Sequence, residues 1–448
     1  MQVFHGDVYA TTKRAPSHWA ATADVASSPA LATDIATDVA IVGGGYTGLS
    51  TALHLARDHG IGATVLEAGP IGWGASGRNG GFVSLGATKL GIAAMDRRWG
   101  AAETDRFHRS QMEAVETVRG LIASEGIDAE AQGDAAYEVA HRPGVAGDLA
   151  EQADLYRRRF GFDAKFLSKD AFLAEGHGGT EQFGAVRLRG PFAIHPLKFT
   201  AGLRDAAVRR GAQVFQDSAV REWSQVGGRH RLTTAGGSVT ARIVVLATNG
   251  YTPDDLAPAF ANRTLPALSN ILVTRPLTAD ERAAEGWRTE CPVSNARDLL
   301  FYYRLLPDRR FLFGARGGVS GSEAENRAMR SFLERRLGEV FPSWRGVAID
   351  RFWNGLVCLT GRLTPAVDRL DADPTVFHGF GYHGNGVNTA PWAGARIADA
   401  IAAGGDARPD VPAAMRGLPP HLVHPLVRRL GLRAAYAWYG VRERWSGR

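Results

Sequence analysis

Lysine is scarce in this chain of 448 residues: five of its 52 basic residues are lysines and the rest are arginines. Cysteine is scarcer still, with Cys291 and Cys358 far apart in sequence. Two such thiols cannot build a disulfide framework and fit a reducing cytosol, so a cytoplasmic protein is expected. Long apolar runs are missing too. No stretch approaches the roughly 18 consecutive apolar residues of a membrane span, and the best, around Ile243 to Ala247, suits a buried strand. Stable membrane insertion is therefore not expected. The N-terminal segment mixes Lys13, Arg14, Pro16 and His18 with alanines and has no apolar core, which argues against a signal peptide. Zinc-ligand spacings, a P-loop, HExxH and a nucleophile elbow are absent, so no metal is expected.

The net charge of +6 is concentrated after Gly405, where eight arginines face three acids. The bias toward arginine reads as compositional, and no basic stripe with interleaved aromatics accompanies it, so no nucleic-acid partner is expected. An apolar fraction of 45% with 22% charged residues is ordinary for a globular enzyme. The length allows about two to three domain-sized units.

What is present is glycine, 54 residues of it, placed where backbone must come close to something. The strongest motif runs from Asp38 through an apolar strand to Gly43-Gly44-Gly45-Tyr46-Thr47-Gly48, and a helix pattern follows to about His59. A GxGxxG between strand and helix has the context that dinucleotide binding needs. Gly43 permits the tight turn, Gly45 admits a pyrophosphate, and Gly48 lets helix and strand pack closely. The unpaired N–H groups of the helix start would receive the phosphates. Glu67, beside Ala68, ends the next strand, where an acid accepts ribose hydroxyls and disfavours a 2′-phosphate.

A second apolar strand, Ser238 to Ala247, ends in the small-residue turn Ala247-Thr248-Asn249-Gly250. A third glycine-rich segment, Gly74-Ala75-Ser76-Gly77-Arg78-Asn79-Gly80-Gly81, follows the ribose acid, which suggests backbone crossing close to a flat ligand. A fourth, Gly384-Asn385-Gly386-Val387, opens a helix running to about Ala403, whose positive end would stabilise negative charge on a bound group.

These motifs, with Ser17-His18-Trp19 in the N-terminal arm, His195-Pro196 and Tyr302-Tyr303-Arg304, resemble the D-amino-acid oxidase/sarcosine oxidase superfamily of flavoproteins over nearly the whole chain. The resemblance implies an α/β fold: a Rossmann-like FAD-binding domain of the glutathione-reductase/D-amino-acid-oxidase type and a second, antiparallel-sheet substrate domain. The expected division is an arm at 1–35, an FAD-binding domain from 36–100, 185–255 and 355–405, a substrate domain from 101–184 and 256–354, and a tail from 406. The resemblance also places Val220 and Gly355 at the cofactor. It sets the 75–81 loop along the isoalloxazine and the 384–387 turn at the flavin's pyrimidine end.

Tyr303 and Arg316, on a hairpin candidate spanning Leu299 to Arg316, belong to the sheet that faces the flavin in the family, with Tyr302 as neighbour. With His383 as proton shuttle and Asn385, they form the candidate catalytic set. Arg362 is a further candidate for a distant substrate anion, and Trp353 for the lining of the passage. The chain also departs from the family. Asn388 and Leu312 stand where sarcosine-type oxidases carry lysines, one for the substrate carboxylate and one for oxygen. From Asn388 we expect a substrate whose recognition does not rest on a lysine-bound α-carboxylate. Cys358 falls one residue from a position that tethers flavin in some members, so FAD is expected to be noncovalent.

The implied reaction is FAD-dependent oxidation of an amine C–N bond, with hydride passing to flavin N5 and the imine hydrolysing to an aldehyde or keto acid. O2 is the expected acceptor, giving H2O2. A dehydrogenase feeding a membrane carrier and a tRNA-modifying amine oxidase of the same fold are the alternatives. In the tail, Leu426, Val427, Leu430, Tyr436, Trp438 and Tyr439 recur at helical spacing, which suggests a face packed on the body.

Overall fold

The run Val39–Val42 is apolar at every position, the pattern of a strand buried on both faces rather than half-exposed. The computed structural model, which describes residues 4–12, 14–423 and 425–445, places it at the centre of a sheet. Strand Ile35–Val42 pairs in parallel with Ser238–Leu246 on one side and Ala63–Leu66 on the other. Val376–Phe380 and Gln213–Phe215 extend the sheet outward, also in parallel, and Ala366–Arg369 closes one edge antiparallel. Successive side chains point to opposite faces. Val39, Ile41, Val65 and Val245 therefore share a core with helices Tyr46–His59, Pro196–Arg209 and Gly386–Ala403. Ala40, Val42, Leu66 and Val244 face the other way, against Leu232, Phe260 and Phe380.

The glycine turn works by close approach. A Cβ on Gly48 would stand 2.0 Å from the Gly43 carbonyl oxygen, so the helix can lie against the strand only with hydrogen there. His195 caps the helix Pro196–Arg209: its Nδ1 accepts the Lys198 amide at 3.2 Å, and Pro196 fills the first helical position.

A second sheet has the order Ile349–Thr360, Thr264–Pro276, Arg310–Arg316, Phe301–Leu305, Val293–Asn295, Ala135–Val139, Ala185–Arg189, Ala164–Leu167. Every neighbouring pair is antiparallel except Val293–Asn295 with Ala135–Val139. The expected hairpin is present, turning at Pro307 to Arg309. Two expected domain boundaries fall elsewhere. Ala185–Arg189 hydrogen-bonds into this second sheet rather than the first, and so does all of Ile349–Thr360, because strand pairing rather than proximity to the glycine motifs assigns them. A helix over Pro143–Leu155 finishes in a π-helical turn, Tyr156–Phe160.

The tail forms a helix, Pro425–Trp445, but buries a different face from the expected one. Arg428 and Leu432 are buried: Arg428 Nη1 donates to the Thr264 carbonyl at 2.8 Å, and Leu432 packs with Phe4, Val8 and Leu356. Tyr436 joins them, whereas Leu430 is 62% and Trp438 63% exposed. The side chains of Leu426 and Tyr439 lie outside the described residues. Among the described residues no helix is long and apolar enough to cross a membrane.

Candidate active site

A cavity of about 670 Å3 begins above the carboxyl ends of the first sheet's parallel strands and continues between the two sheets. At one end are Gly43, Gly45, Glu67, Ala68, Val220 and Thr248; at the other are Tyr302, Arg316, Lys89 and Glu138. Open α/β sheets bind ligands in this crevice, where the strand order diverges from a central strand.

Every residue expected at the cofactor lines this cavity except Gly48 and Gly81. Gly48 serves helix packing. Gly81, at φ +75°, has no room for a Cβ because the Ile194 carbonyl oxygen would lie 2.0 Å away. It passes close against the backbone at Ile194.

Glu67 is held by three donors. Its Oε2 accepts the Gly44 amide at 2.6 Å, and Oε1 accepts Trp73 Nε1 at 2.6 Å and the Gly69 amide at 3.2 Å. Burial pushes its pKa up, and these bonds oppose the shift. Ser76 Oγ accepts the Tyr46 amide at 3.0 Å, joining the third glycine segment to the first. Asn79 Nδ2 donates to the Ser76 carbonyl at 2.9 Å, and the Asn79 carbonyl accepts Trp19 Nε1 at 2.8 Å from the N-terminal arm.

Two long helices start at the cavity with no side-chain cap: Tyr46–His59 after Gly45, and Gly386–Ala403 after Asn385. An uncapped N-terminus leaves backbone N–H groups and a partial positive charge for an anion or a carbonyl. Two of them along one elongated, glycine-walled cavity fit a ligand with a pyrophosphate in one part and an electron-accepting ring in another. Residues 38–400 match the family described as FAD dependent oxidoreductase. The chain belongs to that family. As an FAD dependent oxidoreductase it takes FAD as its cofactor, and Gly43–Thr47, Glu67 and Gly384–Val387 all line the cavity that fits it.

Relatives of this flavoprotein include the gamma-glutamylputrescine oxidoreductase of Escherichia coli (strain K12), 33% identical over 392 residues, which span 87% of this chain and 89% of that protein. The probable oxidoreductase OrdL of Haemophilus influenzae is 30% identical over 371 residues, covering 81% and 82%. Among solved structures, glycine oxidase from Bacillus cereus superposes with a TM-score of 0.66 at 19% identity, over 82% of this chain and 94% of that one. It shows the same fold.

Of the candidate catalytic residues, His383, Asn385 and Arg316 line the cavity and Tyr303 does not. Strand alternation decides this. Tyr302 faces the cavity with its hydroxyl 2.8 Å from Ser269 Oγ, while Tyr303 points to the other face, among Phe311, Phe313 and Trp287, with its hydroxyl 3.2 Å from His177 Nε2. Of the two neighbours it is Tyr302, and not the expected Tyr303, that lines the cavity. Arg362 also lies elsewhere, bonded to the carbonyls of Arg416 and Pro365, and Trp353 Nε1 donates to the Arg78 carbonyl at 2.8 Å within an apolar cluster.

Neither lysine-replacing position lines the cavity. Leu312 is buried in the core with Trp19 and Ile271, and Asn388 is buried with its Nδ2 3.4 Å from the Gln111 carbonyl. The expectation drawn from Asn388 about the substrate carboxylate therefore loses its geometric basis.

His383 is buried in the left-handed region at φ 54°, with Nε2 3.2 Å from Thr360 Oγ1. Burial first, then the neighbouring charge of Arg316, pushes its pKa down to about 3, so the ring is neutral at physiological pH. Asn385 Nδ2 donates to Gln111 Oε1 at 3.2 Å. Cys358 lines the cavity, and burial holds its thiol protonated by raising the pKa to about 12.

Sequence reading missed the far lobe. Lys89, Glu138, Gln152 and Tyr156 come from a loop, a strand and the end of a helix, and no motif joins them. The available signals were slight: a rare lysine, and a single acid inside the strand Ala135–Val139.

Proposed function

We propose that the chain oxidises an amine at its C–N bond and that O2 is the electron acceptor. The substrate loses a hydride from the carbon bearing nitrogen and a proton from the nitrogen. Water hydrolyses the resulting imine to an aldehyde or keto acid plus ammonia or an amine, and O2 leaves as H2O2. FAD supplies the hydride acceptor when bound. The observation that supports this reading best is the meeting of the second sheet with the 384–387 turn: Tyr302, Ser269 and Arg316 line the same cavity as that turn, and Arg316 donates to the His383 carbonyl beside it. The Escherichia coli relative and the glycine oxidase are both named as enzymes acting on amine-bearing compounds.

The chain's own residues orient and exclude. Ser269 and Tyr302 share a hydrogen bond at 2.8 Å, fixing the hydroxyl edge of the chamber. Leu85, Ile271 and Leu300 line it with apolar surface and keep water from the reacting carbon. His383, held neutral, adds no positive charge beside an amine that must itself be neutral to release hydride.

One observation favours a second reading, a dehydrogenase passing electrons to a membrane carrier. Val427, Leu430 and Trp438 are exposed on the arginine-rich C-terminal helix, as a membrane-docking surface requires. Anaerobic mixing of the purified holoenzyme with a panel of amines, followed by admission of air, separates the readings. Flavin bleaching by amines with stoichiometric H2O2 on reoxidation is the expected result. Bleaching followed by slow reoxidation, with rapid turnover on a quinone, would replace O2 as acceptor. Bleaching by 2-hydroxy acids but by no amine would overturn the proposal.

A further inference from the structure

Lys89 sits in the loop between strand Phe82–Val83 and helix Ile92–Trp99, and Glu138 sits on strand Ala135–Val139 of the second sheet. Both line the far lobe of the cavity, and among the described residues they form no ion pair with each other or with any other group. Glu138 is instead built into a polar wall: Gln152 Nε2 donates to its Oε2 at 3.3 Å and to the Tyr156 hydroxyl at 3.2 Å. Arg316, on the same cavity, is engaged with the His383 carbonyl at 2.9 Å.

We propose that this lobe binds the end of the substrate remote from the reacting carbon, and that this end is zwitterionic, an α-amino-acid headgroup with its carboxylate on Lys89 and its ammonium on Glu138. The inference rests on the amine-oxidation reading and names the substrate class within it. Glu138 is half-buried and Lys89 is exposed, and the two opposite charges on one cavity wall are not paired with each other, so each can take a ligand group of the other sign. Surrounding protein pushes the Lys89 ammonium down to about 8, with Arg316 repelling it and Glu138 and Asp298 attracting it. Burial pushes the Glu138 carboxyl up, against its bond from Gln152 and the charge of Lys89. A carboxylate alone would satisfy Lys89 and leave Glu138 as it is, and a diamine would do the reverse. A group bearing both charges answers both, through charge-assisted hydrogen bonds. Tyr302, Leu300 and Ile271 then face the carbon chain between headgroup and reacting amine.

The test is a binding titration on the holoenzyme under anaerobic conditions, read by perturbation of the flavin absorbance, with three probes of matched length: L-norleucine, hexanoate and hexylamine. Norleucine is expected to bind about ten-fold more tightly than either single-charge probe, without bleaching. Lys89→Met should weaken norleucine and hexanoate by about ten-fold, and Lys89→Arg should restore part of that loss. Glu138→Gln should weaken norleucine about as much and leave hexanoate unchanged. FAD content of each variant, measured from its absorbance ratio, should equal that of the unmodified protein. Norleucine binding that is insensitive to Glu138→Gln, or no tighter than hexanoate, would overturn the proposal. So would bleaching by norleucine, which would put the headgroup at the flavin while leaving amine oxidation intact. Failure of every amine, hexylamine included, to bleach the flavin would instead count against the amine-oxidation reading.

Discussion

Arg316 Nη2 donates to the carbonyl of His383 at 2.9 Å, a bond that ties the second sheet to the glycine turn opening the helix Gly386–Ala403. The guanidinium fits there because residue 384 is glycine: a Cβ would approach Nη2 to 2.6 Å. On the other side of the turn, Asn385 is held by Gln111. Arg316→Lys keeps the charge but loses the planar fork. We expect it, and Asn385→Ala, to slow flavin reduction about ten-fold or more while FAD content stays near that of the parent. Stopped-flow reduction beside the protein-to-flavin absorbance ratio makes the comparison, and parental reduction rates would disconnect the turn from the chemistry.

Glu67 lines the cavity and accepts the Gly44 amide of the first glycine turn. Removing its carboxylate in Glu67→Ala leaves the Gly44 amide and Trp73 Nε1 without their acceptor and takes away the expected ribose contact. A charged hydrogen bond contributes about 1.5–3 kcal/mol, so FAD affinity should fall by roughly ten-fold to a hundred-fold. Dialysis against buffer followed by FAD titration measures this. Unchanged retention would mean that the carboxylate only shapes the turn.

Neighbouring tyrosines should behave oppositely. Tyr302→Phe removes a hydroxyl that faces the cavity and should lower the flavin-reduction rate with little change in stability. Tyr303→Phe leaves the buried His177 Nε2 without its hydroxyl partner. It should cost about 1 kcal/mol in a denaturant midpoint and leave the reduction rate intact. A kinetic effect confined to Tyr303→Phe would reverse the assignment made from strand alternation.

Acid should destabilise the protein through its buried histidines. Burial lowers His177 and His378 to about 4 and His195 and His383 to about 3, against an ordinary value of 6.5. The folded state therefore binds fewer protons than the unfolded state below about pH 6.5, and stability falls as pH drops from there toward the folded values. Thermal midpoints taken from pH 7.5 down to pH 5 should decline. Replacing His177 with asparagine should flatten that decline even if it lowers the midpoint at pH 7.5. A flat profile for the parent would show that these rings gain protons without unfolding.

Local chemistry made much of this molecule legible in the residues. Continuous apolar runs, glycine at positions that a Cβ would block, and an acid at the end of the second strand specify a dinucleotide fold and the cofactor-lining backbone, because each constraint acts within a few residues of itself. His195-Pro196 is as local, a cap and a first helical turn. The arrangement of the substrate side is not local. Whether Tyr302 or Tyr303 meets the cavity depends on which face of the hairpin the rest of the sheet covers, and one residue of phase separates a cavity-facing hydroxyl from a core one.

The same holds for the tail. A helix over Pro425–Trp445 follows from its composition, but the body alone selects Arg428 and Leu432 as the buried side. Lys89 and Glu138 are about fifty residues apart and share no motif. They meet in one cavity because strand Ala135–Val139 pairs into the middle of the second sheet while the loop bearing Lys89 leaves the flavin-side segment. Sequence periodicity reports what a segment buries. Which distant segment stands opposite is decided by strand order and by the packing of one sheet's end against the other.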